Sequence, residues 1–181
     1  MNTIAIRVNS RNPIQSLQAN PMRNWQINPM RNWQINPMRN WQINPMRNWQ
    51  INPMRNWQIN PARNWQVNPL RNIQIDPNRN MMIDPRRNMN LDPMQSLNIP
   101  GFYVCSITDC NCYYFTVKPP TQNVILMFDA NKDFCFYAIG IGDCYAVFPV
   151  NDTSCLGTLC PNGAGRYNWF SLNGEWLYFF T

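Results

Sequence analysis

The sequence contains no histidine and a single glutamate, Glu175, so two of the side chains most used in acid–base catalysis are almost absent. A nucleophilic cysteine would therefore lack the histidine base that usually activates it. We expect a protein that is not an enzyme, with no catalytic residues, no metal site and no cofactor.

Long apolar runs are also missing. No stretch approaches the roughly 18 apolar residues that a membrane-spanning helix needs, so we expect no membrane span. Residues 1–8 lack the basic region and apolar run of a secretory signal. The seven cysteines, an odd number without an export signal, favour reduced thiols and a cytoplasmic location, with non-classical release left open.

The charged residues divide the chain into two unlike parts. Residues 1–100 hold no cysteine, lysine or glutamate, and their twelve arginines and three aspartates give a net charge of +9. Residues 101–181 hold three basic and six acidic residues, a net charge of −3, together with all seven cysteines. Only the first part is expected to attract polyanions through its overall field.

The first part is built from repeats of eight residues. A proline recurs every eighth residue from Pro13 to Pro93, which defines eleven octads over residues 13–100, most often Pro-Met-Arg-Asn-Trp-Gln-Ile-Asn. Positions five and seven are always apolar, and this period of two predicts a short strand ending at an Asn-Pro turn. A helix is excluded because each proline would cost about 3 kcal/mol in its interior.

Single octads bury nothing alone, so we expect them to stack. The sequence predicts a β-solenoid with two or three octads per coil, and strands of several chains intertwined into a stalk are the rival architecture. The first and last octads replace Arg-Asn by Gln-Ser and Trp by Leu, which is typical of capping repeats. Residues 1–12, with Ile4, Ile6 and Val8 alternating, are predicted to be a capping segment.

Two rows of side chains are the candidate functional residues of the octads. Arginine at position three either ties turns to neighbouring carbonyls and tryptophan faces or binds a polyanion such as nucleic acid. Whether the tryptophans at position five face inward or outward stays open. The candidate polyanion or assembly row comprises Arg23, Arg31, Arg39, Arg47, Arg55, Arg63, Arg71, Arg79 and Arg87. The candidate stacking ladder comprises Trp25, Trp33, Trp41, Trp49, Trp57 and Trp65.

Residues 101–181 contain four similar segments, each with turn-forming residues at its centre: Thr108-Asp109, Asn131-Lys132, Asn151-Asp152 and Asn173-Gly174. They predict four hairpins forming a small quasi-fourfold antiparallel β-barrel with an aromatic core. Because Cys112, Cys135 and Cys155 occupy a place that Leu177 fills in the last segment, we interpret them as packing residues. A metal site at Cys105, Cys110 and Cys112 would lack histidine and a second cysteine pair, and a Cys155–Cys160 disulfide stays open.

The hairpin sequences Phe128-Asp-Ala-Asn-Lys-Asp-Phe and Phe170-Ser-Leu-Asn-Gly-Glu-Trp resemble those of the bacterial β-flower proteins, a family of small symmetric β-barrels. The Arg-Asn-x-x-Ile-Asn-Pro octads also resemble arrays found beside such domains in bacterial proteins. The resemblance implies a fourfold barrel over residues 101–181, and it implies no catalytic residues.

The near-identity of the middle octads suggests a function. Identical strands can pair between chains as readily as within one, and stacked Asn, Gln and aromatic ladders add to this tendency. We therefore expect a structural protein that assembles with itself into a filament or stalk bearing the C-terminal β domain. The alternative is a monomeric solenoid that binds nucleic acid or another polyanion along its arginine row.

Overall fold

The computed structural model describes residues 1–6 and 10–181, and its C-terminal part is a closed barrel of eight strands. Each strand pairs antiparallel with its neighbours in the chain, and the last strand pairs with the first. The predicted all-β fold with four hairpins is confirmed here. The strands are β1 Tyr103–Ser106, β2 Cys112–Val117, β3 Val124–Asp129, β4 Phe134–Ile141, β5 Cys144–Pro149, β6 Gly157–Pro161, β7 Tyr167–Ser171 and β8 Trp176–Phe180.

The two ends of the barrel differ. At one, which we call the hairpin end, lie the connections 107–111, 130–133, 150–156 and 172–175, where the predicted turn residues are found. Lys132 and Gly174 have positive φ there, 65° and 82°, as tight turns require. The opposite, open end carries the connections 118–123, 142–143 and 162–166 and both termini of the barrel.

The barrel wall is apolar on both faces. Tyr114 of β2 contacts Phe136 of β4 and Tyr178 of β8 in edge-to-face geometry, and neither strand neighbours β2, so these rings fill the interior. Phe115 and Phe128, on the neighbouring strands β2 and β3, stack on the outer face. That outer face is buried in one cluster with isoleucines of the octads.

The octads are made of turns, so the predicted strand at positions five to seven is wrong. All eight strands of the described chain lie in the barrel, and the described octads alternate two four-residue turns. Six of the turns are 3₁₀ helices: Trp33–Ile35, Trp41–Ile43, Trp57–Ile59, Trp65–Val67, Met81–Ile83 and Met89–Leu91. No β-solenoid is therefore formed by the described octads.

Asparagine at positions four and eight explains why turns replace strands. The Asn56 side-chain oxygen accepts a hydrogen bond from the Gln58 N–H at 3.0 Å, which closes a turn locally. Its amide nitrogen donates to the Gln50 carbonyl of the preceding octad at 2.6 Å. At position eight, Asn60 donates to the Pro53 carbonyl at 3.0 Å. Both amides hold the turns together by side-chain bonds, without a strand ladder.

The octads form a belt, our name for residues 13–100, around the outer face of the barrel. In the second octad the Ile27 carbonyl accepts a hydrogen bond from Asn168 of β7 at 3.2 Å. The sixth octad places its turn Trp57–Ile59 against β4, and in the eighth octad Gln74 bonds to Gln122, just before β3, at 3.3 Å. The belt thus follows the barrel wall in the direction opposite to the strand order.

The two ends of the belt meet. The Arg11 guanidinium donates to the carbonyls of Ile99 at 3.1 Å and Gly101 at 2.9 Å, and the Thr181 hydroxyl donates to the Arg11 carbonyl at 2.6 Å. In the preceding segment Ile4 is buried and its N–H donates to the Cys112 carbonyl at 2.7 Å. Ile4 and Ile6 are not in a strand, and Val8 of the predicted capping strand lies outside the described residues.

Candidate functional site

The outer surface of the belt is where the two candidate rows lie. Position seven and the proline of position one face the barrel and are buried or partly buried, whereas positions two, three, five and six are exposed. The question of which way the tryptophans face is thereby answered: each of the six is 58–62% exposed. Isolated exposed apolar side chains are ordinary, but a regular row of six indoles is an unusual surface.

The two turns of each octad lie at opposite rims. At the open end, Trp25 and Gln26 line a cleft with Asn162, Gly163 and Ala164 of the β6–β7 connection. The Met-Arg turns lie at the other rim: Met38 packs on Gly174, and Arg86 forms an ion pair with Asp133 at the β3–β4 hairpin. The belt therefore carries a tryptophan rim and a methionine rim, and arginine side chains reach both: Arg31 lines the cleft of Trp25, and Arg86 pairs at the hairpin end.

The arginines divide into two groups. Within the described chain, seven guanidinium groups have no hydrogen bond or ion pair, and all seven belong to exposed residues: Arg23, Arg31, Arg39, Arg47, Arg55, Arg63 and Arg71. Arg79 and Arg87 instead form ion pairs at 2.6 Å with Asp76 and Asp84, three residues earlier. The predicted row of nine is thus a row of seven available cations and two neutralised ones.

The residue at position eight decides which group an arginine joins. In five octads where it is asparagine, its amide donates to the carbonyl of position one, as Asn60 does to Pro53 at 3.0 Å. Where it is Asp84, that donor is lost, and Arg87 both pairs with the carboxylate and donates to the Pro77 carbonyl at 2.8 Å. Arginine is therefore structural after aspartate and available after asparagine.

The last octad completes this pattern. Asp92, which is 1% exposed, is followed three residues later by glutamine, so no arginine of the belt can reach it from that position. Lys132 of the β3–β4 hairpin takes its place, with its amine 2.6 Å from the Asp92 carboxylate. Sequence reasoning missed the roles of Lys132 and Asp133, because each partner is distant in the chain.

Available arginines and tryptophans coincide in one stretch. Octads two to seven, residues 21–68, each contribute one available arginine and one exposed tryptophan and hold no acidic residue. We call this stretch the Arg–Trp sector. From Asp76 onward, aspartate at position eight neutralises the arginine and position five is no longer tryptophan. Both changes fall in neighbouring octads.

Two pairs of successive tryptophans line clefts that also contain an arginine. One cleft of about 560 Å³ is lined by Trp25, Arg31 and Trp33, together with glutamine and asparagine residues. A second, of about 470 Å³, is lined by Trp49, Arg55 and Trp57. Each cleft combines a cation with two aromatic faces, which suits a ligand that carries an anion beside a flat ring.

The cysteines are arranged as structural residues. Cys105 and Cys112 lie opposite each other in β1 and β2 and form a disulfide, so the prediction of reduced thiols is wrong for this pair. At the equivalent place of the second hairpin Phe128 lies opposite Phe134. The disulfide thus stands where another hairpin has an aromatic pair, and Cys112 is equivalent to Phe134 and not, as expected from the sequence, to Cys135.

Two of the free thiols, those of Cys135 and Cys155, are poor nucleophiles. Cys155 and Cys160 are both free, so the disulfide considered from the sequence is not formed. Burial raises the pKa of the Cys155 thiol to about 11, and burial together with the nearby Asp129 carboxylate raises that of Cys135 to about 11. Both are protonated near neutral pH, and only a thiolate attacks efficiently.

Within the described part of the chain, no group of three or more acidic, cysteine or histidine side chains is placed to hold a metal ion. Over the same residues, no helix has the length and apolar character needed to cross a membrane.

Comparison of the chain with protein-family models, with curated proteins and with solved structures found no match.

Proposed function

We propose that the protein is a non-enzymatic binding protein whose Arg–Trp sector holds single-stranded nucleic acid. The observation that carries this proposal is the coincidence, octad by octad, of an available guanidinium and an exposed indole over residues 21–68. Phosphates would pair with the arginines, and bases would stack on the tryptophans in the clefts between them.

The electrostatics of the belt support this assignment. The sector contains six arginines and no acidic residue, and the acidic residues of the chain lie in the later octads and in the barrel. A surface of one sign attracts a polyanion over a distance of about 8–10 Å at physiological salt. Stacking on indoles then distinguishes a nucleic acid from a polyanion that has no aromatic rings.

Binding of a fluorescent oligothymidine to the full chain, measured by anisotropy at two salt concentrations, tests the proposal. The variant R31Q/R39Q/R55Q removes three available cations, and we expect it to bind at least tenfold more weakly. Each lost phosphate contact should also reduce the slope of log affinity against log salt by about 0.7.

A matched control removes paired arginines instead. In the variant D76N/R79Q/D84N/R87Q the net charge is unchanged and the available row is intact, so we expect wild-type affinity. Equal affinity of the triple variant and the wild type would refute the proposal. Equal affinity for a heparin fragment, which has no aromatic bases, and for the oligonucleotide would show that base stacking on the tryptophans does not contribute to binding.

Self-association is a second candidate function, and the exposed apolar side chains of the belt favour it. Besides the six tryptophans, Met30, Met46 and Met54 are 68–75% exposed. Apolar rows of this kind are typical of an interface between proteins. Because the octads contain no strand, the route would be packing of belt surfaces and not the strand pairing expected from the sequence.

Sedimentation velocity and negative-stain microscopy at several salt concentrations distinguish the two functions. If the protein forms a filament or stalk, oligomers or larger assemblies should be observed. The variant W33S/W49S should then reduce their formation. A monomer at all concentrations, with salt-dependent binding of oligonucleotide, supports the nucleic-acid function alone.

The cellular location and the family remain proposals as well. The pairing of Cys105 with Cys112 makes an oxidising environment the alternative to the cytoplasmic location expected from the sequence. Alkylation of the free thiols in intact cells, followed by mass spectrometry, would show whether this pair is bonded there. The β-flower resemblance of residues 101–181 stays a prediction.

A further inference from the structure

A separate cleft lies at the junction of belt and barrel, near the hairpin end. Its volume is about 200 Å³, and it is formed by the fourth and fifth octads together with β6, β7 and the β7–β8 turn. Most of its wall is apolar, formed by Pro37, Met38, Pro45, Met46, Phe170 and Leu172. This cleft shares only Arg47 with the Arg–Trp sector's available cations.

Two polar side chains in the cleft lack partners within the described chain. Thr158 of β6 is 2% exposed, and its hydroxyl makes no hydrogen bond. A buried hydroxyl without a partner is destabilising, so it calls for an explanation such as a bound group. Arg47, an exposed residue lining the cleft, has a guanidinium with no ion pair.

The glycine at the turn keeps the junction tight. Gly174 has φ of 82°, and a Cβ atom on it would lie 2.1 Å from the Met38 sulfur. Met38 therefore closes one side of the cleft against the β7–β8 turn. The cleft is smaller than the roughly 300–1,000 Å³ of sites for drug-sized ligands, which restricts it to a small molecule.

We propose that this cleft binds a small carboxylate with an apolar body. The carboxylate pairs with the Arg47 guanidinium, which recognises such groups through two parallel hydrogen bonds. The apolar body packs on the methionine, phenylalanine and leucine side chains, since methionine adapts to ligands of varied shape. In this proposal a carboxylate oxygen also accepts a hydrogen bond from the Thr158 hydroxyl, which lines the same cleft. This site does not depend on binding of nucleic acid.

Titration of the full chain, labelled with ¹³C on its methionine methyl groups, with hexanoate tests the proposal. We expect saturable shifts of the Met38 and Met46 signals, with Met22 and Met30 unchanged as internal references. Hexan-1-ol and hexylamine, which have the same apolar body without the anion, should bind at least tenfold more weakly.

Four substitutions make the test specific. R47Q should weaken hexanoate binding at least tenfold, and T158V, which is isosteric and leaves no unpartnered hydroxyl, should weaken it several-fold. R39Q removes an equivalent arginine that does not line the cleft, and it should leave the affinity for hexanoate unchanged. L172W changes a 43%-exposed turn residue and should block the cleft by filling it.

The proposal is overturned by any of three results. These are the absence of saturable shifts at Met38 and Met46, equal binding of hexanoate and hexan-1-ol, and unchanged hexanoate affinity in R47Q or T158V. Because no nucleic acid is present in these titrations, failure here leaves the function of the Arg–Trp sector untouched, and failure of oligonucleotide binding leaves this site untouched.

Discussion

Asparagine is the residue on which the belt depends. At position four, Asn56 accepts from the Gln58 N–H and donates to the Gln50 carbonyl, so one side chain both shapes its own turn and fastens the preceding octad. Aspartate can perform only the first task, because a carboxylate has no donor. Its presence at position eight therefore requires a cation from elsewhere, which Arg87 supplies to Asp84.

This substitution rule predicts the stability of variants. R87Q removes the ion pair to Asp84 and the bonds to the carbonyls of Pro77 and Asn78. The Asp84 carboxylate then loses its cationic partner, and because its side chain is only 12% exposed, water can replace that partner only in part. We expect the free energy of unfolding, measured by urea denaturation, to fall by about 1–3 kcal/mol.

The double variant D84N/R87Q should recover most of this loss, because an asparagine amide can reach the Pro77 carbonyl as it does in other octads. R39Q, which follows Asn36, is the matched control and should change stability by less than about 0.5 kcal/mol. If R39Q and R87Q proved equally destabilising, the division into available and structural arginines would be wrong.

At the scale of elements, apolar alternation misled the assignment of the octads. Positions five and seven are both apolar, which is the signature of a strand with one buried face. In the structure they fall on opposite surfaces of a turn: Ile73 is 57% exposed, whereas Ile75 is fully buried. Local bonds from asparagine to the backbone two residues on outweighed the β propensity of isoleucine and tryptophan.

These two isoleucines of one octad provide a paired test of the inward face. I75A should lower the free energy of unfolding by about 2–5 kcal/mol, since it leaves a cavity between belt and barrel. I73A removes the same atoms from an exposed site and should cost less than about 0.5 kcal/mol. Similar losses for both variants in chemical denaturation would contradict the burial described here.

The hairpins were predictable because their signals are local. Asn173-Gly174 favours a tight turn, and Gly174 indeed has positive φ. The third hairpin, which departs most from the others in sequence, still pairs Val147 with Gly157 across β5 and β6. Closure of the barrel through β1 and β8 follows from four such hairpins placed side by side.

For the whole molecule, the decisive feature is that the barrel has two apolar faces. Five consecutive residues of β3, Val124 to Phe128, are all buried, so the strand lacks the alternation of a sheet with one side in water. The belt covers the outer of these two faces. The Thr181 hydroxyl then ties the end of the barrel to Arg11, just before the belt.

The fragment 101–181 is therefore expected to be unstable by itself. Without the belt it would expose its outer aromatic face, formed by Phe115, Phe128, Phe148, Phe170 and Phe179. We expect it to aggregate, or to elute early from a sizing column and bind a hydrophobic dye.

Co-expression of residues 1–100 with residues 101–181 is the control and should restore a soluble complex. The full chain should unfold in a single transition, because belt and barrel share one apolar cluster. A monomeric fragment 101–181 that unfolds cooperatively would show that the barrel does not need its cover.

The sequence by itself determined the eight-residue period, the four hairpins, the division of charge and the positions of the arginine and tryptophan rows, because each is a local or repeated property of the chain. The division into available and paired arginines also follows from the sequence, because it depends on whether asparagine or aspartate lies three residues earlier. Only the tertiary structure decided that the tryptophans face outward. Apolar patterning identifies residues that can be buried, whereas the surface that buries them, here the outer wall of the barrel, comes from residues far away in the chain.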